Sequence, residues 1–217
     1  MLDEGYPDAS KQKRKSARCL YSAVMTEPID NRVFVLILQH PHEQREALST
    51  ATLVTATLRQ AKLVIGLSWP GLARAYGGPA EPRRWAVLHL GAAWPAAAER
   101  RELSVLGQNG EPIGDPRAVL SGLRGIIILD GTWSQAKTLW WRNPWLLKLH
   151  RIVLNPPHPA RLGRLRREPR REALSTAEAT ALALRHIEAG PQAADALLAA
   201  LDGLMQSVRR PTARRRR

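Results

Sequence analysis

Apolar positions in this chain come in two rhythms. Short continuous runs rich in β-branched residues recur at 33–38 (VFVLIL), 63–67 (LVIGL), 85–90 (WAVLHL), 126–129 (IIIL) and 151–154 (RIVL). A run without polar alternation suits a strand buried on both faces, as in a parallel sheet covered by helices. Between or after the runs, longer stretches predict helices over 50–61, 134–141, 175–189 and 193–209. Ser175 with Glu178 forms an S-x-x-E capping box, and Leu197, Leu201, Leu204, Met205 and Val208 repeat at steps of three and four along one helix face. The alternation predicts an α/β fold. Stretches 71–84, with Gly77, Gly78, Pro79 and Pro82, and 107–116 read as loops or small excursions. One domain over 18–208 is expected, flanked by basic segments 1–17 and 209–217 that are expected to be disordered.

Composition narrows the class. The chain has 217 residues, 44% of them apolar, enough for a core. No apolar run approaches the roughly 18 to 20 residues of a membrane helix. Residues 1–17 lack the apolar core and cleavage site of a secretory signal, so a cytoplasmic location is expected. The single cysteine, Cys19, excludes an intrachain disulfide and a multi-cysteine zinc site.

The net charge of +14 is concentrated. Lys11, Lys13, Arg14, Lys15 and Arg18 give segment 11–18 a charge of +5. Arg161, Arg164, Arg166, Arg167, Arg170 and Arg171 outweigh Glu168 and Glu172 by four, and the six arginines of 209–217 give +6. The remainder of the chain is therefore close to neutral. Localised basic patches resemble the footprint of a polyanion partner, with RNA, DNA and anionic membrane all open, and nucleic acid is favoured over basic termini that are merely solvated tails.

Candidate chemistry gathers where strands give way to helices. In 125–145 (GIIILDGTWSQAKTLWWRNPW) a buried strand ends at Asp130-Gly131 and Thr132-Trp133 opens a helix, which puts these residues at the carboxyl edge of the sheet. Gly131 permits close backbone approach, and the helix amides favour a carboxylate or phosphate. Asp130 or Thr132 could instead simply cap the helix, with Trp133 in the core; local chemistry leaves both readings open. A second segment, 164–179, leads from a basic loop into the capped helix at Ser175 and Thr176. A third, 38–50, holds His40, His42 and Glu43 on a turn, but without a further distant ligand no metal site is expected.

Four stretches then appear in one order: LQHPHE at 38–43 with Thr50 beyond, LDGTW at 129–133, RNPWL at 142–146, and RREP with LSTAEA at 166–169 and 174–179. Together they resemble the signature of the DTW-domain tRNA-uridine aminocarboxypropyltransferases over about residues 18–188. The resemblance implies a SPOUT-like, mostly parallel sheet with flanking helices and a C-terminal trefoil knot that holds S-adenosylmethionine. It implies transfer of that molecule's 3-amino-3-carboxypropyl group to N3 of a tRNA uridine, with release of methylthioadenosine. Asp130 is then the candidate general base, and Thr132 and Trp133 shape the pocket around the donor. Leu90, Gly91, Leu129, Gly131, Leu154, Asn155, Leu174, Ser175, Thr176 and Glu178 would line the cofactor site. Arg161, Arg164, Arg166, Arg167, Arg170 and Arg171 would hold tRNA phosphates. Two departures stand out: the paired N-terminal cysteines of many relatives are absent, and the stretch after Leu90 (GAAWPAAAERREL) differs from the family's glycine- and proline-rich loop.

The alternatives are a SPOUT-type RNA methyltransferase, an rRNA-directed aminocarboxypropyltransferase, and a non-catalytic RNA-binding protein. Monomer and homodimer are both compatible with the sequence.

Overall fold

The computed structural model describes residues 27–45, 49–88, 102–155 and 174–209. Six strands form one sheet: β1 (Phe34–Gln39), β2 (Ala61–Ile65), β3 (Trp85–Leu88), β4 (Leu103–Leu106), β5 (Gly125–Asp130) and β6 (His150–Leu154), in the order β2-β1-β5-β3-β6-β4. All neighbours are parallel except β4, which pairs antiparallel with β6 at one edge. The helices are α1 (Thr50–Thr57), α2 (Leu72–Tyr76), α3 (Pro116–Gly122), α4 (Trp133–Arg142), α5 (Thr176–Ile187) and α6 (Gln192–Arg209).

Three of the five continuous apolar runs serve the purpose expected of them, whereas β2, at one edge of the sheet, is partly exposed along its length and β6 buries only Ile152. β3 and β5 are buried along their whole length, and only Phe34 of β1 is partly exposed. Alternate side chains supply two cores. Val35, Ile37, Ile126 and Ile128 face α1, α5 and α6, where Leu53, Val54, Leu184, Leu197 and Leu201 close one layer. Leu36, Leu38, Ile127 and Leu129 face the other way, onto Leu72, Ala136, Leu139 and Leu146. The three- and four-residue repeat of α6 is thus used within the chain: Leu197, Leu201 and Leu204 are buried against the first layer, while Met205 is partly exposed and Val208 exposed.

Some elements depart from the sequence expectations. The first helix ends at Thr57 rather than continuing to 61, because Ala61 already belongs to β2, which begins two residues earlier than its apolar run. Stretch 71–84 contains α2, held to the sheet by Tyr76, whose ring lies 4.8 Å from that of Phe34 and 5.2 Å from that of Trp85. Strand β4 falls outside the five predicted runs. Its four residues are buried because it closes an edge against β6. At Gly125, paired with Trp85 in the sheet, a Cβ would stand 2.5 Å from the indole, so glycine lets that ring lie flat across β5.

Two features set the direction of α5. The Arg32 guanidinium donates to the carbonyls of Leu123 at 2.9 Å and Ile187 at 2.8 Å, and the Glu188 carboxylate accepts from the Val33 amide at 2.9 Å. The end of α5 is therefore pinned where β1 begins. Twelve helical residues rise about 18 Å and six strand residues about 20 Å, so the start of α5 arrives over the carboxyl ends of β1 and β5.

Candidate active site

β1 and β5 are neighbours whose connections leave in opposite directions. β1 continues through α1 on one face to β2, and β5 continues through α4 on the other face to β6. The crevice at such a switch point is where open α/β sheets bind ligands. Here its floor is the register pair Gln39 and Asp130, the last residues of the two strands.

Alternation explains why these two polar residues face each other. Val35-Ile37-Gln39 and Ile126-Ile128-Asp130 are rows on a single face of the sheet, each ending in a polar group where the apolar layer stops. Gln39 Nε2 donates to Asp130 Oδ2 at 2.8 Å, and the Thr176 hydroxyl donates to Asp130 Oδ1. Asp130 is only 7% exposed, yet both of its oxygens are hydrogen-bonded. An ionised carboxylate accepts at about four lone-pair positions, so each oxygen keeps one for a substrate proton.

The surrounding backbone is fixed by caps. Thr132, not Asp130, is the N-cap of α4: its hydroxyl accepts from the Gln135 amide at 3.4 Å, and the Gln135 side chain accepts from the Thr132 amide at 2.7 Å. Asp130 is thus left free of the capping task. Ser175 caps α5 as its sequence predicts, accepting from the Glu178 amide at 3.3 Å while Glu178 Oε2 accepts from the Ser175 amide and hydroxyl at 3.0 and 2.7 Å. Between them, Gly131 is tightly enclosed. A Cβ there would come within 2.8 Å of Gln135 Cβ and 3.4 Å of His40 Cβ.

His40 joins the site through its backbone, donating its amide to the Asp130 carbonyl at 3.0 Å. Its Nδ1 accepts from the His42 amide at 3.3 Å. Burial first, and the neighbouring His42 second, push its pKa below the ordinary 6.5. Trp133, 37% exposed, begins α4 beside this cluster, with Lys137 Nζ 5.3 Å from its ring centroid.

The structure brings Asp130, Gly131, Thr132, Trp133, Ser175, Thr176 and Glu178 to one edge of the sheet. Leu129 is turned to the opposite face and packs in the second core. Leu154 and Asn155 lie at the same carboxyl edge but at β6, two strands from β5, or about 10 Å away. The Asn155 amide there bonds to the Glu102 carbonyl at 2.8 Å. Leu174 immediately precedes the Ser175 cap. Leu90, Gly91 and the six arginines 161, 164, 166, 167, 170 and 171 lie outside the described residues. Among the described residues no group of three or more His, Cys, Asp or Glu side chains could hold a metal.

Gln39 is a site residue that the sequence patterns do not single out, although it stands within the LQHPHE stretch. Its signal is a polar residue ending an otherwise unbroken apolar run. Asn143 of the RNPWL stretch is structural. Fully buried, it donates to the Leu67 and Leu139 carbonyls at 3.0 and 2.8 Å and accepts from the Trp69 amide and the Trp145 indole at 2.9 and 3.2 Å.

A model of the DTW domain matches residues 13–209. The chain is similar to tRNA-uridine aminocarboxypropyltransferase 2 of Macaca fascicularis, with 27% identity over 202 residues, covering 91% of this chain and 62% of the relative. It is similar also to tRNA-uridine aminocarboxypropyltransferase 2 of Mus musculus, 24% identical over 212 residues that cover 93% of this chain and 63% of the relative. The chain thus spans less than two thirds of the length of these relatives. No solved structure matches. A match that runs through nearly all of the sequence, and through every element around the Asp130 crevice, establishes the kinship: the chain belongs to the DTW domain family.

Proposed function

We propose that this protein transfers the 3-amino-3-carboxypropyl group of S-adenosylmethionine to N3 of a uridine in tRNA, releasing methylthioadenosine. The observation that carries the proposal is the Asp130 carboxylate, oriented by Gln39 and Thr176 at the sheet's switch point. The relatives' names supply the reaction and the RNA class. With the family's SPOUT-like fold comes the C-terminal knot. The mostly parallel sheet is compatible with both, and residues 156–173 lie outside the described residues. The reading includes action in the cytoplasm; among the described residues no helix is long and apolar enough to cross a membrane.

The residues present suit such a donor. The first-turn amides of α5 favour its carboxylate. When bound, the sulfonium supplies an activated carbon and a neutral leaving sulfide. The chain supplies position and a proton acceptor. Asp130 takes the N3 proton as N3 forms its bond to the carbon, and the pair of electrons in the carbon–sulfur bond departs with the sulfur. Gln39 and Thr176 hold the carboxylate still during that transfer. Thr132 contributes by fixing the start of α4, and Trp133 by presenting its indole beside the crevice. Arg161, Arg164, Arg166, Arg167, Arg170 and Arg171 are assigned to tRNA phosphates.

The test is to incubate the protein with unmodified tRNA and S-adenosylmethionine and to read nucleoside masses after digestion. Aminocarboxypropyluridine with methylthioadenosine is expected. Methyluridine with S-adenosylhomocysteine would replace the reading by methyl transfer.

A further inference from the structure

Helix α4 carries an exposed feature that extends beyond the catalytic cluster. Trp133, Lys137 and Trp141 stand at four-residue steps, which puts them on one flank of the helix. All three are exposed, and Trp141 is 78% exposed, an extreme value for the most costly apolar side chain to leave in water. The buried flank of the same helix, Ala136 and Leu139, already supplies the core contact, and among the described residues Trp141 belongs to neither core. The ladder starts at the mouth of the Asp130 crevice and runs about 12 Å along the helix from Trp133 to Trp141.

Charge identifies the occupant. From Gly131 to Asn155 the chain contains Lys137, Arg142, Lys148 and Arg151 and no aspartate or glutamate. Lys137, Arg142 and Lys148 are exposed. Rings interleaved with cations, with no anion among them, suit single-stranded RNA, whose bases stack on aromatic faces while phosphates meet the cations. A second protein would be served by the rings but gains nothing from a stretch whose charges are all positive.

We infer that the Trp133–Lys137–Trp141 face of α4 is an RNA-docking surface, on which Trp141 stacks a base flanking the target uridine and Lys137 meets the strand's phosphates. This rests on the reading of tRNA as substrate. It adds an RNA contact separate from the arginines of 161–171, one that lies on the helix leading directly out of the site and sets which loop nucleotides can reach Asp130.

The experiment measures Kd for an unmodified tRNA transcript over a range of salt, with the full chain as wild type, Trp141→Ala, Trp141→Phe and Lys137→Gln, alongside the nucleoside product of the wild type. Trp141→Ala should raise Kd about 5- to 100-fold with an unchanged salt slope, and Trp141→Phe should restore most of the affinity. Lys137→Gln should lower the slope by about one. A Trp141→Ala protein within twofold of wild type overturns the inference, as does one that binds RNA normally but loses self-association in sedimentation, which would assign the face to a second copy. If Trp141→Ala weakens binding while the wild type forms no aminocarboxypropyluridine, the docking surface stands and the reaction reading falls. Product formation with an indifferent Trp141 overturns the docking surface and leaves the reaction standing, and a wild type that does not bind tRNA removes both.

Discussion

In the proposed reaction Asp130 is held by two neighbours that come from different parts of the chain, Gln39 and Thr176. Thr176→Val keeps the shape of the side chain but removes its donor to Asp130 Oδ1. It should lower kcat with little change in KM, and Thr176→Ser should restore the rate; a loss confined to KM would make Thr176 a binding residue instead. His40 gives a pH signature. Its pKa is lowered in the folded chain, so on acidification the unfolded chain takes up this proton first. Stability from His40 is therefore present above pH 6.5 and declines as pH falls from there towards the folded-state pKa. Urea unfolding of His40→Gln between pH 5 and 8 should show less of that decline than wild type. Asp130, Thr176 and Ser175 were legible in the sequence from a strand end and a capping box. Gln39 was not, because its partner lies 91 positions away and only the register of β1 with β5 brings the two side chains together.

The core strands were the easiest elements to read, since β1, β3 and β5 are unbroken apolar runs that only a doubly covered sheet can bury. β4 was hard to read. Four residues at an edge, LSVL, have neither the length nor the bounding turns to stand out, and their strand character comes from pairing with β6. The five-residue α2 was hidden for a similar reason: flanking Gly71 and Gly77 mark a turn, and its helicity depends on burying Leu72 and Ala75 against the sheet. The RNPWL stretch shows how a motif can be structural. Asn143→Ala should leave the Trp69 amide and the Leu67 and Leu139 carbonyls without their partner, costing about 3 kcal/mol or more, visible as a lower urea midpoint. Leu201→Ala, in the layer under α5, should cost about 2 to 5 kcal/mol. If either variant matched wild-type stability, its element would be seated otherwise than described.

At the scale of the whole molecule, the proposed function joins a near-neutral body to basic segments. Replacing Arg166, Arg167 and Arg170 together should weaken tRNA binding and reduce the slope of log Kd against log salt, with the product unchanged. A changed product would put those side chains in the reaction itself. The central claim, however, is that Asp130 moves the proton and the remainder of the molecule brings donor and tRNA to it. Asparagine is the sharpest probe, since its oxygen can accept from Gln39 while the Thr176 hydroxyl turns to accept from its amide, keeping the crevice intact. The decisive measurement is turnover of Asp130→Asn, read as aminocarboxypropyluridine and methylthioadenosine, beside its affinities for tRNA and S-adenosylmethionine. The account predicts both affinities close to wild type and turnover reduced by about 10²- to 10⁴-fold; a fully active Asp130→Asn would contradict it.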